Sequence, residues 1–75
     1  MNKNAIVFTQ NACQGCATVK SILGVAGYTI EEIKLDNVDA KKKFFEHFPG
    51  ARTVPQVVIN GAPIGGLDAV RAFLN

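Results

Sequence analysis

A chain of 75 residues buries only about 60–65% of its unfolded surface, which leaves room for one small core and predicts a single domain over residues 1–75. Its 48% apolar and 19% charged content is that of a globular protein, and eight Lys and Arg against six Asp and Glu leave a net charge of +2, too weak for a nucleic-acid footprint. Apolar runs are too short to span a bilayer, and Met1–Asn4 leads straight into a strand-like run, so neither membrane insertion nor a signal peptide is expected. Two cysteines and one histidine exclude a secreted disulfide framework and a self-contained four-ligand zinc site. These counts predict a soluble cytoplasmic domain whose cysteines do chemistry.

Ala5–Phe8 reads as a short buried strand, ended by the polar Thr9-Gln10-Asn11. Val19, Ile22, Leu23 and Ala26 then fall at i, i+3, i+4 and i+7, the apolar stripe of a helix, and Gly27 suits its C-terminal cap. Thr29–Leu35 is a second strand with imperfect alternation. Asp36 or Asp39 caps a helix that runs to about Phe48. Its apolar face is Phe44, Phe45 and Phe48, and Pro49-Gly50 ends it. Val57–Ile59 is a third strand. Asn60-Gly61 turns it back into Ala62–Ile64 through a type I′ hairpin, and Pro63 assigns that last strand to a sheet edge. Leu67, Val70, Phe73 and Leu74 mark a final helix. The order β-α-β-α-β-β-α predicts an α/β domain, with one mixed four-stranded sheet covered by three helices and a parallel first βαβ unit.

Cys13 and Cys16 flank Gln14-Gly15 between the first strand and the first helix. A helix N-terminus offers unpaired N–H groups and the positive end of a dipole, which favour an anion. Cys13 is therefore expected to have a lowered pKa and to be the nucleophile. Cys16, one turn on and more buried, is the resolving thiol. Thr53-Val54-Pro55 is the second constellation, because a proline opening a buried strand cannot donate to the ladder. Either a cis Val54–Pro55 bond or a trans proline on an edge strand accounts for it. The cis form would turn the Val54 N–H and C=O outward to pair with an extended peptide. The third is Gly65-Gly66-Leu67-Asp68, two glycines that permit close approach followed by an acidic first turn. Lys41–Lys43 read as a solvated helix face, Lys20 and His47 as surface residues.

Cys13-Gln14-Gly15-Cys16, Arg52-Thr53-Val54-Pro55-Gln56 and Ile64-Gly65-Gly66-Leu67-Asp68, in this order and spacing, resemble a small dithiol glutaredoxin of the thioredoxin superfamily. The resemblance runs from Ile6 to Leu74 and implies a thioredoxin-like fold. It also implies a glutathione-disulfide oxidoreductase, carrying electrons through a redox-active Cys13–Cys16 disulfide to protein disulfides and glutathione mixed disulfides. Glutathione is the implied cosubstrate and reductant, with no metal. Cys13 would carry the mixed disulfide, with Thr53, Val54, Pro55, Gly66, Leu67 and Asp68 binding the tripeptide. Gln10 and Arg52 are supporting positions. Implied partners are disulfide-bonded or glutathionylated proteins, ribonucleotide reductase among them by family analogy, with the chain a monomer that binds neither nucleic acid nor membrane.

Three positions depart from the family pattern. Gln14-Gly15 stands where Pro-Tyr is usual, Gln10 where a Lys or Arg is usual, and Ala69 where a polar or acidic residue is common. Together they imply weaker glutathione binding unless Arg52 and Lys41–Lys43 compensate. Two alternatives remain open. One is a module holding a [2Fe–2S] cluster through Cys13 and glutathione. The other is a redoxin reduced by thioredoxin reductase, against which Gly65-Gly66 argues.

Overall fold

The computed structural model describes residues 2–75. Its elements are β1 (Asn4–Thr9), α1 (Gln14–Val25), β2 (Thr29–Lys34), α2 (Val38–His47), β3 (Gln56–Ile59), β4 (Ala62–Gly65) and α3 (Leu67–Leu74). The strands form one sheet in the order β2-β1-β3-β4. β1 runs parallel to β2 and antiparallel to β3, and β3 runs antiparallel to β4 with a bulge at Val57/Val58. This is the expected thioredoxin-like arrangement. Among the described residues, no helix is long and apolar enough to cross a membrane.

The apolar runs in β1 and β3 are continuous because both strands are central and covered on both faces. Successive side chains point to opposite faces. Ala5, Val7, Val57 and Ile59 therefore enter a core with Val19 and Leu23 of α1 and Val70 of α3. Phe8 and Val58 enter a second core with Phe44 of α2. The imperfect alternation of β2 has the same origin, since Ile30 packs on the first core and Ile33 on the second. β4 lies at the edge, as Pro63 required.

Local chemistry corrects three details. Asn37, not Asp36 or Asp39, caps α2, its Oδ1 accepting the Ala40 N–H at 2.8 Å. Phe45 is not core: 52% of it is exposed. Gly27 ends α1 as expected: it follows the C-cap Ala26 at φ 89°, its N–H donates to the Gly24 carbonyl and that of Tyr28 to the Leu23 carbonyl, both at 3.0 Å, and Lys3 Nζ donates to the Ala26 carbonyl at 3.0 Å. His47 is half-buried, its ring centroid 6.0 Å from that of Phe8. The Asn60-Gly61 turn has φ of 48° and 85°, both positive as a type I′ hairpin demands.

Candidate active site

β1 ends inside the sheet, and the chain must turn sharply to start α1. Ala12 makes that turn at φ 56°, a left-handed conformation that costs a residue with a Cβ about 1 kcal/mol or somewhat more. Cys13 follows as the N-cap of α1 in extended conformation. Its Sγ accepts the Cys16 backbone N–H at 3.1 Å, satisfying one of the orphan donors of the first helical turn. Cys13 is half-exposed and Cys16 buried. The pair is joined as a disulfide with its Cα atoms 5.2 Å apart, within the ordinary range. The two sulfurs thus differ in access, with Cys13 the more exposed of the pair.

The Val54 carbonyl lies 4.0 Å from Cys13 Sγ. The Val54–Pro55 peptide bond is cis, and Pro55 is buried. Its ring lies against Gly15: a Cβ there would meet Pro55 Cδ at 3.2 Å. The Pro55 carbonyl lies against Gly66, where a Cβ would meet it at 3.4 Å. Gly66 is the N-cap of α3 and has no capping side chain. Its carbonyl accepts the Val70 N–H at 3.0 Å. Three segments distant in sequence thus converge on one proline. Thr53 is exposed, and its carbonyl accepts Gln56 Nε2 at 3.1 Å. Leu67 is half-buried against the first core, and Asp68 is exposed in the first turn of α3.

Gln10 and Arg52 come together on the other side of Val54. With Leu35, Lys41, Phe44, Phe45, Ala51, Thr53 and Val54 they line a cavity of about 640 Å³. Lys20 turns away from the cysteines and pairs with Glu32 Oε1 at 3.1 Å. The other Glu32 oxygen accepts the Thr9 hydroxyl at 2.7 Å. The Thr9 hydrogen bond first, and that from Lys20 second, hold the Glu32 carboxyl below its usual range, against the effect of burial.

Glu32 and Ala12 carried no sequence signal. Glu32 reads as a surface strand residue, and a left-handed position normally announces itself by Gly, Asn or Asp. Thr9 was a partial clue, a polar residue at the end of an otherwise buried strand.

The fold and the cysteine pair at the strand–helix junction define a thioredoxin-like dithiol protein. Comparison with known proteins narrows this. The Glutaredoxin family profile matches residues 5–64, so the chain belongs to the glutaredoxin family. It is 36% identical over 67 residues to Glutaredoxin 1 of Rickettsia conorii, covering 87% of this chain and 66% of that protein's length. It is 32% identical over 70 residues to Glutaredoxin 3 of Escherichia coli, covering 93% of this chain and 84% of the relative. A solved structure of a buckwheat glutaredoxin–glutathione complex superposes with a TM-score of 0.76 at 34% identity, covering 93% of this chain and 66% of the other.

Proposed function

We propose that residues 1–75 form one glutathione-dependent thiol–disulfide oxidoreductase domain. The observation that carries this reading is Cys13 Sγ itself, placed on the Cys16 N–H at the start of α1, facing the Val54 carbonyl and within disulfide reach of Cys16. The helix-terminal N–H donates to the sulfur most strongly when the sulfur is an anion. The reactive form of Cys13 is therefore the one this position favours.

For a glutathione mixed disulfide, the Cys13 thiolate attacks the glutathione sulfur. The old S–S bond breaks, a Cys13–glutathione bond forms, and the target sulfur leaves as a thiolate that takes a proton from water. A second glutathione, as its thiolate, attacks the bound glutathione sulfur. Glutathione disulfide leaves and the Cys13 thiolate is restored. The cycle consumes one free glutathione, whose partner in the glutathione disulfide is the group taken from the target. Where Cys13–Cys16 closes instead on a protein disulfide, two free glutathiones supply the two electrons that reopen it and leave as glutathione disulfide. For a protein disulfide, Cys13 attacks one sulfur and releases the other. Cys16 then loses its proton and attacks the Cys13 sulfur, closing Cys13–Cys16 and freeing the second target thiol.

The glutathione backbone pairs with the main chain of Val54, its γ-glutamyl end rests at Gly66–Asp68, and Thr53 and Pro55 wall the groove. The reaction belongs in a reducing compartment, the cytoplasm, where free thiols persist. The chain acts as a monomer on disulfide-bonded or glutathionylated proteins, with ribonucleotide reductase one acceptor of suitable chemistry.

The test is glutathione-coupled reduction of a small glutathione mixed disulfide. Cys13→Ser should abolish turnover, whereas Cys16→Ser should keep it and lose reduction of protein disulfides. Activity surviving in Cys13→Ser, or absent from the parent, would reject the reading.

A further inference from the structure

We propose that Thr9 and Glu32 are positioning residues for Cys13: with Lys20 they bracket the redox segment and hold its strained turn in the conformation that seats the Cys13 sulfur on α1. This rests on the oxidoreductase reading and adds residues to it that lie outside the glutathione groove. Thr9 stands four residues before Cys13, and Lys20 four residues after Cys16. One carboxylate reaches both. Glu32 Oε2 accepts the Thr9 hydroxyl at 2.7 Å, and Oε1 accepts from Lys20 Nζ at 3.1 Å. The turn, both cysteines and the start of α1 are thereby tied at each end to a single residue of β2.

The Thr9 arm is the stronger one. Among the described residues Thr9 is the one buried polar side chain, 1% exposed, and a buried hydroxyl needs a partner. An O–H···O⁻ bond this short belongs to the strong, charge-assisted class. The Thr9 carbonyl is fixed as well, accepting the Leu35 N–H at 2.9 Å. The Lys20 arm is partly exposed and holds less tightly. The charges facing the Glu32 carboxylate are Lys20 from α1 and Lys34 from its own strand, both cations, so it stays ionised and available to both arms. With β1 fixed at Thr9, the chain has only Gln10, Asn11 and Ala12 in which to reach Cys13. Ala12 completes the turn at φ 56°, where a Cβ is unfavourable. A strained residue persists only where its surroundings over-determine it. Upstream, that constraint is the Thr9–Glu32 bond. Downstream, it is the Cys16 N–H on Cys13 Sγ at 3.1 Å. Releasing Thr9 lets Ala12 relax toward negative φ, and that rotation carries the adjacent Cys13 sulfur off the Cys16 N–H.

The test is the pH profile of Cys13 alkylation by iodoacetamide in the reduced protein, read beside turnover of the mixed disulfide of glutathione and 2-mercaptoethanol. Thr9→Val removes the hydroxyl at nearly constant volume and constant charge, and leaves Arg52 and Asp68 on the neighbouring segments unchanged. It should raise the pH midpoint by about half a unit, the scale of one weakened hydrogen bond, so that about threefold less thiolate is present below the midpoint. Thr9→Ser keeps the hydroxyl and should keep the parent profile. Ala12→Gly added to Thr9→Val should restore the parent midpoint, because glycine adopts a positive φ without penalty. Glu32→Gln separates position from charge. Loss of a nearby negative charge would by itself lower the midpoint, whereas loss of the bracket raises it. An unchanged midpoint in Thr9→Val, an equal shift in Thr9→Ser, no rescue by Ala12→Gly, or a lowered midpoint in Glu32→Gln would each overturn the bracket. If the parent does not reduce the mixed disulfide, the oxidoreductase reading itself fails. If the parent reduces it and the variants alkylate as the parent does, that reading stands and only the bracket falls.

Discussion

The two flanks of Val54 are built from different material. On the cysteine side the close contacts are made by backbone and glycine: the Cys16 N–H on Cys13 Sγ, the Val54 carbonyl, and Gly15 and Gly66 against Pro55. On the α2 side the surface is made of side chains, with Leu35, Phe44 and Phe45 as walls and Lys41 and Arg52 as charges. A backbone-built site depends less on neighbouring side chains, because every residue type but proline supplies the same N–H and C=O. With Gln14-Gly15 between the cysteines, the Val54 carbonyl lies 4.0 Å from Cys13 Sγ. A side-chain-built surface changes its chemistry with every substitution, and there substrate preference can diverge.

This contrast is most directly broken at Gly65. Its φ of 131° is outside the range that L side chains favour, and a Cβ there would lie 3.0 Å from Ala69 Cβ. Gly65→Ala should therefore combine backbone strain with overpacking and cost about 2–3 kcal/mol in chemical denaturation. It should also raise the KM for glutathione by displacing the start of α3. On the opposite flank Phe45→Ser should cost about 1 kcal/mol or less, as expected of a half-exposed side chain. Similar losses in the two variants would erase the distinction.

A smaller effect is expected at Gln10, which lines the cavity with Lys41 and Arg52. Gln10→Lys adds a cation worth about 1 kcal/mol to an anion several ångströms away at a partly exposed site. The KM for glutathione should fall several-fold at low ionic strength and less at high. Arg52→Ala should move it the other way. No change in either would mean that the helix terminus alone handles the anion, and that side-chain charge on this flank does not reach the cysteine flank.

The smallest effect lies on the edge strand β2, at Glu32. Its carboxyl is held below the usual 4.5, first by the Thr9 hydroxyl and then by Lys20. A depressed carboxyl contributes stability that is fully present above its unfolded pKa and is lost as pH falls through the folded one. Glu32→Gln should thus be less stable than the parent near neutrality, by about 0.5–1 kcal/mol for a partly exposed pair. The gap should begin to shrink as pH falls to the unfolded carboxylate pKa, about 4.3, and close only below the lower folded one. Parallel curves across that range would show that the pair carries no coupling.

The element order, the mixed sheet, the edge placement of Pro63 and the placement of Cys13 and Cys16 at the start of the first helix were all legible in the sequence. Each rests on local physics: hydrophobic period, turn chemistry at Asn60-Gly61, and a thiol at a helix entrance. The glycines of Gly65-Gly66 were legible as a close approach, but what approached them was not. Pairing Gly15 and Gly66 with opposite sides of Pro55 depends on three segments meeting across the sheet, and no local signal encodes that distance. The tertiary structure alone also decided which of three phenylalanines stays at the surface. Phe44 and Phe45 are neighbours in sequence, yet helical rotation and the position of β1 bury one against Phe8 and leave the other beside Lys41. It likewise decided that Lys20 serves Glu32 and not the cysteines, because β2 brings a carboxylate within reach. The sequence by itself determined the chain's backbone scaffold and its reactive sulfurs, since propensity and patterning act over a few residues. The charge and apolar character of the groove beside them emerged only when α2 and the Val54 segment were folded against each other.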